Sequence, residues 1–223
     1  MADLTILEKA PFAENAEPRC ACILVLDTSG SMQGAPIAAL NQGIKDFGEA
    51  VNADPVASRR VETAIITFDS NVRVLQDFVT MNHYKAPTLH AQGLTKTGSA
   101  ILTALDLIET RKSLYRQVGV DYYRPWILLV TDGEPQGDSD ETLQLAASRL
   151  RTAETEGKVA MFAVGVQGAD LTRLAELSVR VPLRLDGLDF KGLFLWLSAS
   201  MTSVSRSRVD EKIALPPPGW ASV

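Results

Sequence analysis

The sequence predicts an α/β fold of three layers: a mostly parallel six-stranded sheet with one antiparallel edge strand, and helices on both faces. Three observations carry this expectation. Apolar runs rich in β-branched residues alternate with segments whose apolar residues recur every three or four positions, the pattern of strand-helix-strand units around a parallel sheet. The run "WILLVT" is apolar without interruption, as suits a central strand covered on both faces. Between the second and third runs stands only "DSN", too short for a crossover helix, so those two strands pair antiparallel and the third lies at the sheet edge.

The first strand is "CACILVL". After it, Ile37, Leu40, Ile44, Phe47 and Val51 form one stripe on a helix that Pro36 opens, because the missing N–H is unpaired in a first turn anyway. "VETAIITF" is the second strand and "VRVLQDFV" the third. An irregular stretch, "TMNHYKAPTLHAQGLTKTG", leads to a helix with Ile101, Leu105, Ile108 and Lys112 down one side, which feeds the fourth strand, "WILLVT". In the turn-rich "DGEPQGDSDE", Ser139 or Asp140 caps a helix running to about Glu156. "VAMFAVGV" is the fifth strand, "LTRLAEL" a short helix and "PLRL" a weak sixth strand. The last helix starts near Asp189 as N-cap and carries Phe190, Leu193, Phe194 and Leu197 at helical spacing, with Trp196 to one side.

With 223 residues, 46% of them hydrophobic, the chain has material for one core of ordinary size. We expect an arm over residues 1–18, a single domain over 19–204 and an extended tail over 205–223, polyproline-like near "LPPP", where it packs along the domain or docks on a partner groove. Lysine and arginine number 22 against 27 aspartates and glutamates, a formal net charge of -5, so no basic field exists to hold nucleic acid. The first residues carry acids and prolines where a signal peptide needs a basic start and an apolar stretch. No apolar run approaches the roughly 20 residues of a membrane span, so a cytoplasmic protein without a membrane partner is expected. Cys20 and Cys22 fall on one face of a strand, a poor geometry for a disulfide, and no third cysteine or nearby histidine completes a zinc site with them. Ser198, Ser200, Ser203, Ser205 and Ser207 read as a solvated polar face of the last helix, with phosphorylation by a partner kinase as the sharper alternative.

Chemistry concentrates at two strand ends. Asp27 follows "ILVL" and Asp132 follows "LLVT"; if those strands are parallel neighbours, both acids face the crevice outside the carboxyl edge of the sheet, where open α/β sheets place ligands. An acid closing a buried strand demands a cation or a set of hydrogen-bond donors. Ser29 and Ser31 alternate in the turn after Asp27, so both hydroxyls can point to the side of the carboxylate. Hydroxyls with carboxylates are hard oxygen ligands suited to Mg²⁺, Mn²⁺ or Ca²⁺. A carboxylate that merely caps turn amides would account for Asp27 but not for Asp132.

These residues resemble the metal-ion-dependent adhesion site of von Willebrand factor A (VWA) domains, whose first motif, D-x-S-x-S, reads here Asp27-Thr28-Ser29-Gly30-Ser31. The segment "GLTKTGSAI" is similar to the family's G-G-T-x-x-G-x-A-L, with Thr95 at the ligand position and Leu94 in place of the usual second glycine; Thr97 is the other threonine considered. Thr131-Asp132-Gly133 matches the last element. The resemblance implies a Rossmann-like three-layer VWA fold and a divalent cation, Mg²⁺ or else Mn²⁺ or Ca²⁺, held by Asp27, Ser29, Ser31, Thr95 and Asp132. The hydroxyls would bind directly and the carboxylates largely through water. It further implies an acidic side chain of a partner protein at the open coordination position, with the loops around Gly30, Gly93, Gly133 and Glu134 meeting the partner. Both chain ends, "FAENAEPRCACILVLDTSGSM" and "FKGLFLWLSASMTSVSRSR" with "LPPP", resemble the VWA proteins of bacterial tellurium-resistance clusters, the TerY-like group. That likeness implies a stress-response module with a PP2C-type phosphatase and a Ser/Thr kinase.

Two other classes remain alternatives: a VWA subunit assisting an AAA+ ATPase, and a metal-dependent hydrolase. For an enzyme the sequence offers no phosphate-cradling G-x-x-x-x-G-K, no H-E-x-x-H and no G-x-S-x-G; His83 and His90 fall in the irregular stretch, and Glu134 is the one spare acid nearby.

Overall fold

The computed structural model describes residue 12 and residues 14–133, 135–166 and 168–222. Strand β1 (Cys20–Asp27) is followed by a short 3-10 turn, helix α1 (Ala35–Asn52), a single turn α2 (Ala57–Arg60), β2 (Val61–Phe68) and β3 (Val72–Thr80). Then come α3 (Thr97–Val118), β4 (Trp126–Thr131), α4 (Asp140–Thr155), β5 (Ala160–Gly165), α5 (Leu171–Leu177), β6 (Leu183–Leu185), α6 (Phe190–Arg206) and β7 (Ala221–Ser222). The sheet order is β3-β2-β1-β4-β5-β6-β7. Strand β1 is parallel to β2 and β4, β3 runs antiparallel at one edge, and the six expected strands are all present.

Alternation on β1 sorts the core into two halves. Cys20, Cys22, Leu24 and Leu26 face α1 and α6, whereas Ala21, Ile23 and Val25 face α3 and α4. Ile101, Leu105 and Ile108 of the predicted α3 stripe lie in the second half, and Lys112 is buried beside them with its ammonium paired to Glu109. Gly43 lets α1 approach α6, since a Cβ there would sit 2.5 Å from the Phe194 ring. Pro36 stands in the first turn of α1, Ser139 caps α4, and Asp189 caps α6 by accepting the Gly192 amide.

At the end of the sheet where β1 and β2 begin, a charged cluster is buried. Arg19 donates to one oxygen of Glu62 at 2.8 Å, Arg111 donates to the other at 2.9 Å, and the Tyr115 hydroxyl shares that second oxygen. Arg19 also donates to the Glu17 and Asn15 carbonyls, and Phe12 lies under both guanidinium groups. Its own burial, and after that the charge of Glu62, raise the Tyr115 hydroxyl well above its ordinary range, with Arg111 acting in the opposite direction.

The C-terminal region departs from expectation in two ways. A seventh strand, two residues long, pairs antiparallel with β6, and Trp220 is buried against Trp196, whose indole N–H donates to the Pro216 carbonyl at 2.7 Å. The serines of α6 are not a solvated face: Ser198, Ser200 and Ser205 are buried, Ser207 is half-buried, and among the five only Ser203 is exposed. Ser198 and Ser205 bond back to the Leu195 and Thr202 carbonyls, which satisfies each hydroxyl inside the helix and allows its burial. Of these five serines, only Ser203 and part of Ser207 are therefore reachable from solvent on the folded chain.

Cys20 and Cys22 are free, fully buried thiols on one face, as their spacing predicts. Burial pushes both up, Cys22 to about 12. The thiolate is the reactive species, so neither cysteine should be alkylated by iodoacetamide in the native protein at pH 8, and both should react after unfolding in guanidinium chloride. Labelling of the native protein at the unfolded rate would contradict their placement.

Candidate metal centre

The apolar run of β1 buries its own terminal acid. Asp27 pairs in register with Phe68 at the end of β2 and has no exposed surface. The chain then turns sharply: the Ser29 amide donates to Asp27 Oδ1 at 2.7 Å, and the Thr131 hydroxyl, at the end of the neighbouring β4, donates to Oδ2. Burial pushes the Asp27 carboxyl up to about 6, against the lowering effect of these hydrogen bonds. Neither bonding partner is a cation.

Asp132, the first residue beyond β4, stands half-buried across the crevice, and burial raises its carboxyl as well, partly offset by Ser31. The Ser31 hydroxyl donates to Asp132 Oδ1 at 2.8 Å, and the Ser29 and Ser31 hydroxyls are 3.0 Å apart. Since Ser31 has given its hydrogen to the carboxylate, Ser29 donates in that pair. The alternate spacing thus brings both hydroxyls to one side, in a chain from Ser29 through Ser31 to Asp132.

Thr95 enters from a third loop. Its main chain forms an isolated antiparallel bridge with Gln136, N–H to O distances of 2.8 and 2.9 Å. A Cβ added to Gly133 would lie 3.6 Å from Thr95 Oγ1 and 3.9 Å from Ser31 Oγ, so these two hydroxyls border one space beside Gly133. Gly30 donates to the Gly93 carbonyl at 3.0 Å, and Gly93 takes φ +76°, with Ser70 so close that a Cβ would sit 2.6 Å from its hydroxyl. Glycine is required there on both counts. Thr97 opens α3 fully buried, and its hydroxyl makes no hydrogen bond. Glu134 lies outside the described residues.

The donor set fits a hard divalent cation: two carboxylates and three hydroxyls, all oxygen, on loops after β1 and β4 and before α3. Asp27 in particular is a fully buried acid whose hydrogen-bond partners, on Ser29 and Thr131, are all neutral, which leaves its charge uncompensated within the chain. Among the described residues no group of three or more His, Cys, Asp or Glu side chains is arranged as a metal site, so nothing there resembles a thiolate or imidazole zinc cage. The von Willebrand factor type A domain model matches residues 22–180, a span that includes all five oxygen donors.

The chain belongs to the von Willebrand factor type A domain family.

Solved structures agree on the VWA fold. A von Willebrand factor type A protein from Catenulispora acidiphila superposes with a TM-score of 0.65 at 15% identity, covering 82% of this chain and 43% of that one. The pilus adhesin SpaC from Lactobacillus rhamnosus GG gives 0.63 at 15% identity, over 86% of this chain and 30% of the adhesin. Proximal thread matrix protein 1 from the mussel byssus, in a form whose metal-ion-dependent adhesion motif is occupied by zinc, gives 0.54 at 17% identity, over 84% and 49%. This VWA chain thus spans less than half of each of these solved chains. No curated protein matches the sequence.

Several residues that shape the VWA site escaped the motif reading. Thr131 was visible only as part of T-D-G, yet its hydroxyl bonds Asp27. Asp69 follows the apolar run of β2 as Asp27 and Asp132 follow theirs, which is a signal in the sequence. Its side chain holds the Asn71 amide and Arg73, and its carbonyl accepts the Lys96 amide next to Thr95. Ser70 Oγ accepts the Leu94 amide at 3.0 Å from the same turn.

Proposed function

We propose that this VWA domain is a metal-dependent protein-interaction module in which Asp27, Ser29, Ser31, Thr95 and Asp132 hold one divalent cation, Mg²⁺ by donor type, with Mn²⁺ or Ca²⁺ as substitutes. The observation that carries the reading is the fully buried, uncompensated Asp27 beside the Ser29–Ser31–Asp132 hydroxyl chain. A bound cation supplies an electrophilic coordination position that an aspartate or glutamate of a partner protein can fill. The chain's own residues do the rest. Asp27 and Asp132 supply the negative charge, Thr131 and the Ser29 amide orient Asp27, and the loops around Gly30, Gly93, Gly133 and Glu134 form the rim a partner meets. Leu94, where the family usually has glycine, stands exposed on that rim against Gly137 and adds an apolar contact beside the acid. The adhesin and matrix proteins of like fold support an interaction role rather than an enzymatic one.

The finer reading rests on the likeness of both chain ends to the tellurium-resistance group: a cytoplasmic bacterial stress-response module whose partners are a PP2C-type phosphatase and a Ser/Thr kinase. Immobilised protein offered a PP2C-type phosphatase and a Ser/Thr kinase of that group should retain at least one of them in Mg²⁺, release it in EDTA and recapture it when Mg²⁺ is restored. Retention indifferent to EDTA would refute the metal-dependent mode.

A further inference from the structure

One acid outside the donor set joins two of the three metal-site loops. Asp138 reaches from the loop after β4 to the start of α3, where its Oδ2 accepts the Gly98 amide at 2.7 Å and the Ser99 amide at 3.2 Å, and its Oδ1 accepts the Ser99 hydroxyl. The residue in the N-cap position of α3, Lys96, provides no side-chain cap, so Asp138 supplies from a distant loop the acceptor that helix needs. The bonds are charge-assisted and lie at the positive end of a 22-residue helix, both of which strengthen them. The adjacent Ser139 caps α4, accepting the Thr142 amide at 3.3 Å, so two consecutive residues begin two different helices.

The placement matters because of what lies between the bonded residues. Thr95 and Gln136 exchange two main-chain hydrogen bonds, and Asp138 adds its own to Gly98 and Ser99. The strip carrying Thr95 and the loop carrying Asp132 are therefore fastened at two points, and Gly133 between them borders both the Thr95 and Ser31 hydroxyls. Without the carboxylate, the Thr95–Gln136 bridge is left as the main-chain tie between the two loops on this side.

We infer that Asp138 is a positioning residue of the metal centre: it holds the Thr95 and Asp132 loops as one unit, so cation affinity depends on a carboxylate that is not itself a ligand. This rests on the metal reading above. Groups that orient metal ligands typically matter by about tenfold to a hundredfold in affinity.

The test compares full-length Asp138→Ala, Asp138→Asn and Ser139→Ala with wild type, reading Mn²⁺ affinity by calorimetry and amide exchange at Thr95 and Gln136, at a temperature where melting curves show every variant folded. Asp138→Ala should weaken Mn²⁺ binding by about tenfold or more and speed exchange at both amides. Asp138→Asn keeps a carbonyl oxygen for the Gly98 amide and should fall between. Ser139→Ala, which loses a helix cap in the same loop, should lower the melting temperature and move neither readout. Wild-type affinity and wild-type exchange in Asp138→Ala would overturn the assignment, as would an equal effect of Ser139→Ala. Wild-type protein that binds no Mn²⁺ would refute the metal reading instead, and the exchange at Thr95 and Gln136 would then decide alone whether Asp138 ties the loops.

Discussion

Glu62→Ala is expected to destabilise the protein by about 3–5 kcal/mol, the penalty for removing one partner of a buried ion pair and leaving the other charged. Arg19 is completely buried, and its Nε hydrogen bond ends on Glu62; Arg111 and the Tyr115 hydroxyl end there as well. In the variant, two guanidinium groups would face each other across a cavity with no carboxylate between them. For a chain of this length the loss corresponds to a fall in melting temperature on the order of 10 °C. The cluster sits where β1 and β2 begin, at the far end of the sheet from Asp27 and Asp132. Cation affinity measured below the melting temperature should therefore be unchanged, which separates this variant from those in the metal centre. A loss of stability well under about 1 kcal/mol, the value of an exposed pair, would mean that the cluster adds no net stability.

Asp27→Asn should have the opposite effect on the metal-free protein, with a defined pH dependence. The folded-state carboxyl is raised from 3.8 to about 6, so the folded chain holds this proton more tightly than the unfolded one. Below about pH 3 the acid is neutral in both states and its ionisation costs nothing. As pH rises through 4 to 6 the unfolded state ionises first and the folded state loses stability, by about 3 kcal/mol for a shift of about two units, and the whole loss is present at pH 7. Asparagine keeps an acceptor for the Ser29 amide and carries no charge. The stability difference between Asp27→Asn and wild type, measured by denaturant unfolding in EDTA, should therefore grow from its smallest value near about pH 3 to its full value at about pH 7. Adding Mg²⁺ should stabilise wild type and not the variant, by ligand linkage. A difference that does not change with pH would show that Asp27 is not held uncompensated in the fold.

The legible part of the site consists of residues whose role is written in contiguous sequence. Asp27 and Asp132 each close an apolar run, and Ser29 and Ser31 follow at the spacing that brings their hydroxyls together, so strand periodicity and the parallel-sheet rule were enough to place all four. Thr95 needed the likeness of "GLTKTGSAI" to a known pattern, since nothing local marks one threonine of that loop over Thr97. Asp138 and Gln136 were illegible because their work is done through bonds to residues far along the chain; Asp138 and Ser99 stand 39 positions apart. The serines of α6 misled for a different reason. Hydrophobicity treats serine as polar, whereas Ser198 and Ser205 return their hydrogen bonds to the helix itself and can be buried like alanine. Strand β7 spans two residues, too few for any periodicity, and it is fixed by pairing with β6 and by Trp220 lying against Trp196.

In the proposed site, oxygen donors from three loops hold one divalent cation. Calorimetric titration of metal-free wild type and Thr95→Ala with Mg²⁺ is the sharpest test, because Thr95 comes from a third loop, outside both the D-x-S-x-S turn and the loop of Asp132, and its hydroxyl lies on the space beside Gly133. A single binding event is expected in wild type, lost or severely weakened in Thr95→Ala while the variant keeps its fold. Binding of equal strength in both proteins, or none in wild type, would contradict the proposed site.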